Sequence, residues 1–160
     1  MGRRFGYAPL ALAALVLVAA HGGAGFASHA EETLPTRRFT SGQSNYYEFC
    51  GGCHGLDGAS ARREIPVLKD HVGRFLCTPG GREYLVRLPN VAFAPMDDET
   101  LAQTLNFIAR DLGGASYPAG ARAYTAAEVG RLRQAPLKAT DLAALRVHIL
   151  EAGEKTCSAR

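Results

Sequence analysis

Apolar residues in this chain recur at helical spacing and nowhere alternate with polar residues over a strand's length. Leu101, Leu105, Ile108 and Leu112 fall at successive steps of four, three and four, one face of a helix. Asp97 stands where a cap is needed, and Asp98 and Glu99 put negative charge in the first turn, where the helix dipole favours it. Gly113-Gly114 ends that segment. Further on, Thr125-Ala126-Ala127-Glu128 has the form of a capping box, with Val129 and Leu132 facing inward and Pro136 as the stop. Thr140 is the expected cap of a last helix that presents Leu142, Leu145 and Ile149 on one side. Upstream, a helix is expected from near Ser41 through Tyr46, Tyr47 and Phe49 into a pair of cysteines. Residues 55–95, rich in Gly, Pro and Arg, read as loops with short helices near 71–76 and 83–88. The expected fold is all-α.

The N-terminus has a different pattern. Arg3 and Arg4 precede an unbroken apolar run from Leu10 to Ala20, followed by small residues. This is the form of a secretory signal peptide over residues 1–30, with cleavage after Ala27 or Ala30. The run is short for a membrane span, which takes about 20 residues. Stable membrane insertion is therefore expected only if the signal stays uncleaved. Residues 31–41 read as an exposed lead-in. Removal of the signal leaves residues 31–160, enough for one domain. Arg3 and Arg4 leave with it, which lowers the formal net charge of +3 by two. So small an excess gives no reason to expect a nucleic-acid partner.

Candidate chemistry is concentrated in Cys50-Gly51-Gly52-Cys53-His54. Two thiols flanking two residues, then a histidine, is the attachment pattern of a c-type haem, in which each sulfur adds to one vinyl group and the histidine supplies an iron ligand. The same residues permit other readings. A thioredoxin-like redox pair would need an alternating strand and helix context, which is lacking. A structural zinc module would need two more ligands, for which His71 and Cys77 are the available residues. Cys77 and Cys157, far apart in the chain, are left over from the motif. In an oxidising compartment they can pair, or they can remain two buried thiols.

For a second iron ligand, Met96 is the sole methionine after the signal and lies well downstream of His54, in the turn Ala94-Pro95-Met96-Asp97. A thioether there can close over the open face of a haem, or can simply fill a gap in the core. His71, much nearer to His54 along the chain, is the competitor. His148 reads as structural or exposed, and His21 and His29 fall in the signal. The acids at 97–99 either serve the helix start or face a basic partner. The arginines at 62, 63, 74, 82 and 87 either form an opposite patch or pair with haem propionates.

Taken together, these residues resemble the class I cytochromes c. Gly42, Tyr46 and Cys50 at successive intervals of four look like that family's N-terminal helix, with Phe107 as the aromatic partner on the last core helix. Gly55 and Gly58 are also typical, and Pro66 resembles the proline whose carbonyl accepts the proximal histidine's N–H. The resemblance covers roughly residues 41–113. It departs from the family in the ligand loop, which reads Ala-Pro-Met-Asp in place of Gly-x-Met-Pro, and in a tail that exceeds a minimal core. It implies a haem-binding core over residues 31–113 and a two-helix C-terminal extension of the same domain over 114–160. It also implies one covalent haem c on Cys50 and Cys53, with His54 and Met96 on the iron and Pro66 behind the histidine. The tail is expected to cover apolar surface, or else to dock a partner. The implied protein is a soluble periplasmic electron carrier and not an enzyme. It would work between a periplasmic dehydrogenase or a membrane redox complex and a terminal oxidase or reductase. The alternative is a haem ligand-binding or peroxidase-like protein with a labile sixth site.

Overall fold

Among the described residues, seven α-helices joined by short 3-10 and π segments build the fold, and there is no strand. The computed structural model describes Gly2, residues 38–138 and residues 140–158. The expected signal peptide, with His21 and His29, and most of the expected lead-in lie outside the described residues. All the helices fall in one unit, Arg37–Arg160. No helix among the described residues is long and apolar enough to cross a membrane.

Helix α1, Ser41–Phe49, begins at Thr40, whose hydroxyl accepts from the Gln43 N–H, and is followed at once by the single turn α2, Gly51–His54. A 3-10 helix, Val72–Cys77, leads into α3, Pro79–Arg87. Helix α3 starts a turn earlier than the segment expected from 83. Thr78 caps it through the Gly81 N–H and Pro79 occupies the first turn, so Gly80-Gly81 is helix and not loop. A short turn, α4, Pro89–Ala92, lies where the sequence pattern reads as loop. Helix α5, Asp98–Asn106, is capped by Asp97 through the Thr100 N–H at 2.7 Å and runs on as a π-helical stretch, Phe107–Leu112. The full apolar stripe thus continues as expected, but with a change of pitch after Asn106.

The tail folds as two helices, α6, Ala126–Arg133, and α7, Leu142–Ser158. Thr125 caps α6 by accepting from the Glu128 N–H, yet the box is not reciprocal. Both Glu128 oxygens are taken by Arg82, at 2.6 and 2.7 Å. For α7 the cap is Asp141, which accepts from the Ala144 N–H at 2.9 Å, and not the expected Thr140. Aspartate stands one residue nearer the helix, and its carboxylate meets the positive end of the dipole.

Two apolar clusters make the core. Val86, Leu101, Ala102, Leu105, Tyr124, Val129 and Leu132 join α3, α5 and α6. Val72, Phe75, Tyr84 and Leu85 form the second, covered by Leu145, Ile149 and Leu150 of α7. Arg82 ties α3 to the tail. Besides Glu128 it donates to the carbonyls of Arg122 and Ala123, and its guanidinium lies 4.0 Å above the Tyr124 ring. At its far end, α7 is bonded to the 3-10 helix by a Cys77–Cys157 disulfide, with the Cα atoms 5.4 Å apart. That bond removes Cys77 from the zinc ligand set considered above.

These ties can be measured through stability. Closing a loop with a sequence separation of 80 constrains the unfolded chain by roughly 4–5 kcal/mol in the chain-entropy model. Reduction, or a Cys77→Ser/Cys157→Ser variant, is expected to lower the stability measured by urea denaturation by an amount of that order. The Arg82 hydrogen bonds hold the Glu128 carboxyl below its ordinary value of 4.5. A depressed folded-state value stabilises the fold above the ordinary value, and that contribution is lost as pH falls through the folded one. Urea midpoints should therefore fall on acidification below about pH 4.5, and less steeply in Glu128→Gln.

Candidate haem site

Helix α1 lies against α5 at a backbone-to-backbone crossing. A Cβ on Gly42 would run into the Gln103 carbonyl, so the approach requires glycine there. One turn on, Tyr46 is fully buried, with its ring 5.5 Å from that of Phe107. Its hydroxyl donates to the Gly55 carbonyl at 2.5 Å, and burial pushes its pKa up to about 12. The Cys50 N–H donates to the Tyr46 carbonyl, and the His54 N–H to the Cys50 carbonyl. The motif is thus a helical continuation of α1. Cys50 and Cys53 both carry free thiols.

Beyond the motif the chain turns through Gly55 and Gly58, at φ 78° and 77°, where a side chain would be strained. The Gly58 carbonyl accepts from the N–H groups of both Leu68 and Lys69. This closes a loop that carries Pro66 to His54, where Nδ1 lies 3.0 Å from the Pro66 carbonyl. A carbonyl only accepts, so Nδ1 is the donor in this contact, which leaves Nε2 as the ring nitrogen available to a metal.

His54 and Cys50 border a cleft of about 690 Å³, within the range of cofactor sites. Its walls are mostly apolar and include Leu68, Val72, Phe75, Leu85, Leu105 and Ile108. Cys53 is not among the lining residues but follows Cys50 on the same turn. Leu142, Ala143, Arg146 and Leu150 of α7 complete one side. The tail is therefore a wall of the cleft as well as a cover for the core. His71 and Arg74 also border it.

Met96 borders a smaller adjoining pocket of about 110 Å³, which shares Cys50, Asn90, Val91, Leu105 and Ile108 with the cleft. Its sulfur lies 3.7 Å from the Thr104 hydroxyl. That hydroxyl has one proton and a carbonyl, Thr100, at 2.8 Å to receive it. The sulfur lone pairs are left without a strong donor. Thr104 is 1% exposed, so the hydroxyl beside the sulfur is buried.

Each of the acids at 97–99 has a local or tail partner. Asp97 caps α5, Asp98 pairs with Arg133 at 3.1 Å, and Glu99 accepts from Gln103. Nor do the arginines form one patch, because Arg82 and Arg87 are engaged with carbonyls of the tail. Three contributors escape sequence reasoning: Arg133, the α7 wall and Asn90 of α4. For α4 the Leu88-Pro89 step is an available helix-start signal. The other two depend on partners far along the chain and have no local signal.

An apolar cleft of cofactor size, a histidine held by its Nδ1 in the wall and two free thiols one turn apart suit a covalently attached haem. The chain belongs to the class I c-type cytochromes. It is 33% identical over 105 residues to cytochrome c-552 of Thermus thermophilus, a match covering 54% of this chain and 80% of that protein. A second Thermus thermophilus cytochrome c-552 is likewise 33% identical over 105 residues, covering 54% of this chain and 71% of that protein. No family model matches the chain, and no solved structure matches it.

Proposed function

We propose that this protein is an exported, soluble one-electron carrier that holds a single haem c. Cys50 and Cys53 are its thioether anchors, and His54 and Met96 are its two axial ligands. The observation that carries the reading is the His54–Pro66 pair beside the apolar cleft, together with membership of the cytochrome c class. When bound, the haem supplies a one-electron ferrous/ferric couple.

The chain's own residues do the rest. Pro66 holds the His54 tautomer and ring orientation, which sets the strength of the fifth ligand. Leu68, Val72, Phe75, Leu85 and the α7 residues exclude water and keep the local dielectric low. Met96 closes the other face with a soft, neutral donor that favours the reduced state. With both His54 and Met96 holding the iron, no position would remain for a substrate, and this argues for electron transfer and against catalysis. Redox partners of the kind proposed are a periplasmic dehydrogenase or membrane complex on one side and a terminal oxidase or reductase on the other.

The test is the optical spectrum of the ferrous protein, expressed with periplasmic haem attachment, with and without carbon monoxide. No spectral change on adding the gas is the expected result. A prompt shift of the main haem band would instead favour a ligand-binding or peroxidase-like protein. Met96→Ala should keep its haem and bind carbon monoxide. A variant that still excludes the gas would remove Met96 from the iron. Cys53→Ala should retain one thioether link or lose haem, read from pyridine haemochrome spectra.

A further inference from the structure

Arg133 closes α6 and is only 13% exposed at its side chain. Its guanidinium donates to three carbonyls of one loop. Nε reaches Ala92 at 2.9 Å, Nη2 reaches Ala94 at 2.7 Å, and Nη1 reaches Met96 at 2.7 Å. Nη1 also lies 3.1 Å from Asp98 Oδ1. Alternate residues of the segment 92–98 are thus held by a single side chain from the C-terminal extension. The approach is close. A Cβ on Gly130, one turn before Arg133, would run into the Asp98 carboxylate.

We propose that Arg133 is the positioning residue for the sixth ligand, clamping the Met96 loop so that its sulfur stays over the iron. This inference rests on the His54/Met96 reading above. A thioether is a weak neutral donor, so its bond persists only if the loop does not have to be ordered each time the bond forms. The loop's other ties are backbone bonds from Phe93, Ala94 and Met96 to Pro89, Val91 and Ala94, the Asp97 cap of α5, and packing of Ala94 and Met96 against the core. None of these holds more than one of its carbonyls, and the family's proline after methionine is replaced by Asp97. A planar guanidinium with a fixed fork of donors is suited to gripping three carbonyls at once, which lysine cannot reproduce. Asp98 offsets its charge locally, so the role is geometric: Arg133 governs how readily Met96 gives way to another ligand.

Imidazole titration of the ferric haem protein tests this, read in every variant from the shift of the main haem band and, where Met96 is retained, also from the loss of the sulfur-to-iron charge-transfer band. It is done well below each variant's unfolding temperature. Arg133→Gln should bind imidazole about tenfold more tightly than the parent. Arg133→Lys should fall between the two and serves if the glutamine variant folds poorly. Arg82→Gln is the control. Arg82 also ties the tail to the core but touches no residue of 92–98, so its loss should lower the unfolding temperature and leave imidazole affinity unchanged. Met96→Ala runs alongside. If it keeps the parent's affinity, Met96 is not the ligand and both readings fall. If it binds tightly while the Arg133 variants match the parent, or match Arg82→Gln, the clamp alone is overturned.

Discussion

The contact of α1 with α5 at Gly42 sets the geometry on which the haem site depends. Here two backbones meet with no side chain between them, and the Gln103 carbonyl occupies the place of the missing Cβ. Tyr46 then locks the crossing from within, through Phe107 on one side and Gly55 on the other. Because Cys50 bonds to the Tyr46 carbonyl, the attachment turn inherits its position from this crossing. Met96 lies just before the cap of α5, the other member of the pair. The spacing between the attachment turn and Met96 is therefore set by a helix pair that cannot slide without a steric clash.

The tail belongs to this architecture in two distinct ways. Helix α6 supplies Val129 and Leu132 to the cluster that also holds Leu101 and Leu105. Helix α7 instead covers Val72, Phe75, Tyr84 and Leu85, and contributes Leu142, Arg146 and Leu150 to the cleft. Without it those side chains would face water, and apolar exposure of that kind costs a small domain much of its margin. The disulfide fits this picture. It secures the far end of α7 to the 3-10 helix that carries Val72 and Phe75, so the wall is anchored at the element it covers.

How much of the structure is legible in the sequence follows from the range of the interactions. The helix at Asp98 and the capping of α6 rest on contacts within a turn or two and can be read directly, while the Gly42–Tyr46–Cys50 series, whose partners Gln103 and Phe107 are remote, is legible through the resemblance. Pro66 is legible because the resemblance places it. The start of α3 is not, because Gly80-Gly81 reads as loop, although Thr78 and Pro79 are a sound cap and first turn. Glu128 has the spacing from Thr125 that a capping box requires, yet its oxygens are claimed by Arg82, remote in the chain. Thr140 loses to Asp141 on charge and position. In the last two departures a long-range or stronger partner displaces a local one.

The same distinction divides the site into unequal halves. On the His54 side, the ring, Pro66, Gly55 and Gly58 are close neighbours in the chain, and their hydrogen bonds close a small loop. Such a loop has a low closure cost and needs nothing from the tail. On the Met96 side, three loop carbonyls are held by Arg133, far along the chain in the second helix from the end. Under the proposed ligation, the His54 side would rest on local contacts and the Met96 side on contacts with the tail. A carrier needs both faces rigid so that little rearranges when an electron arrives, and the proposed clamp would tie the second face to the docking of the tail. Residues 114–160 would thus connect the stability of the fold to the closure of the site, which a minimal core with its own glycine- and proline-stiffened ligand loop would not require.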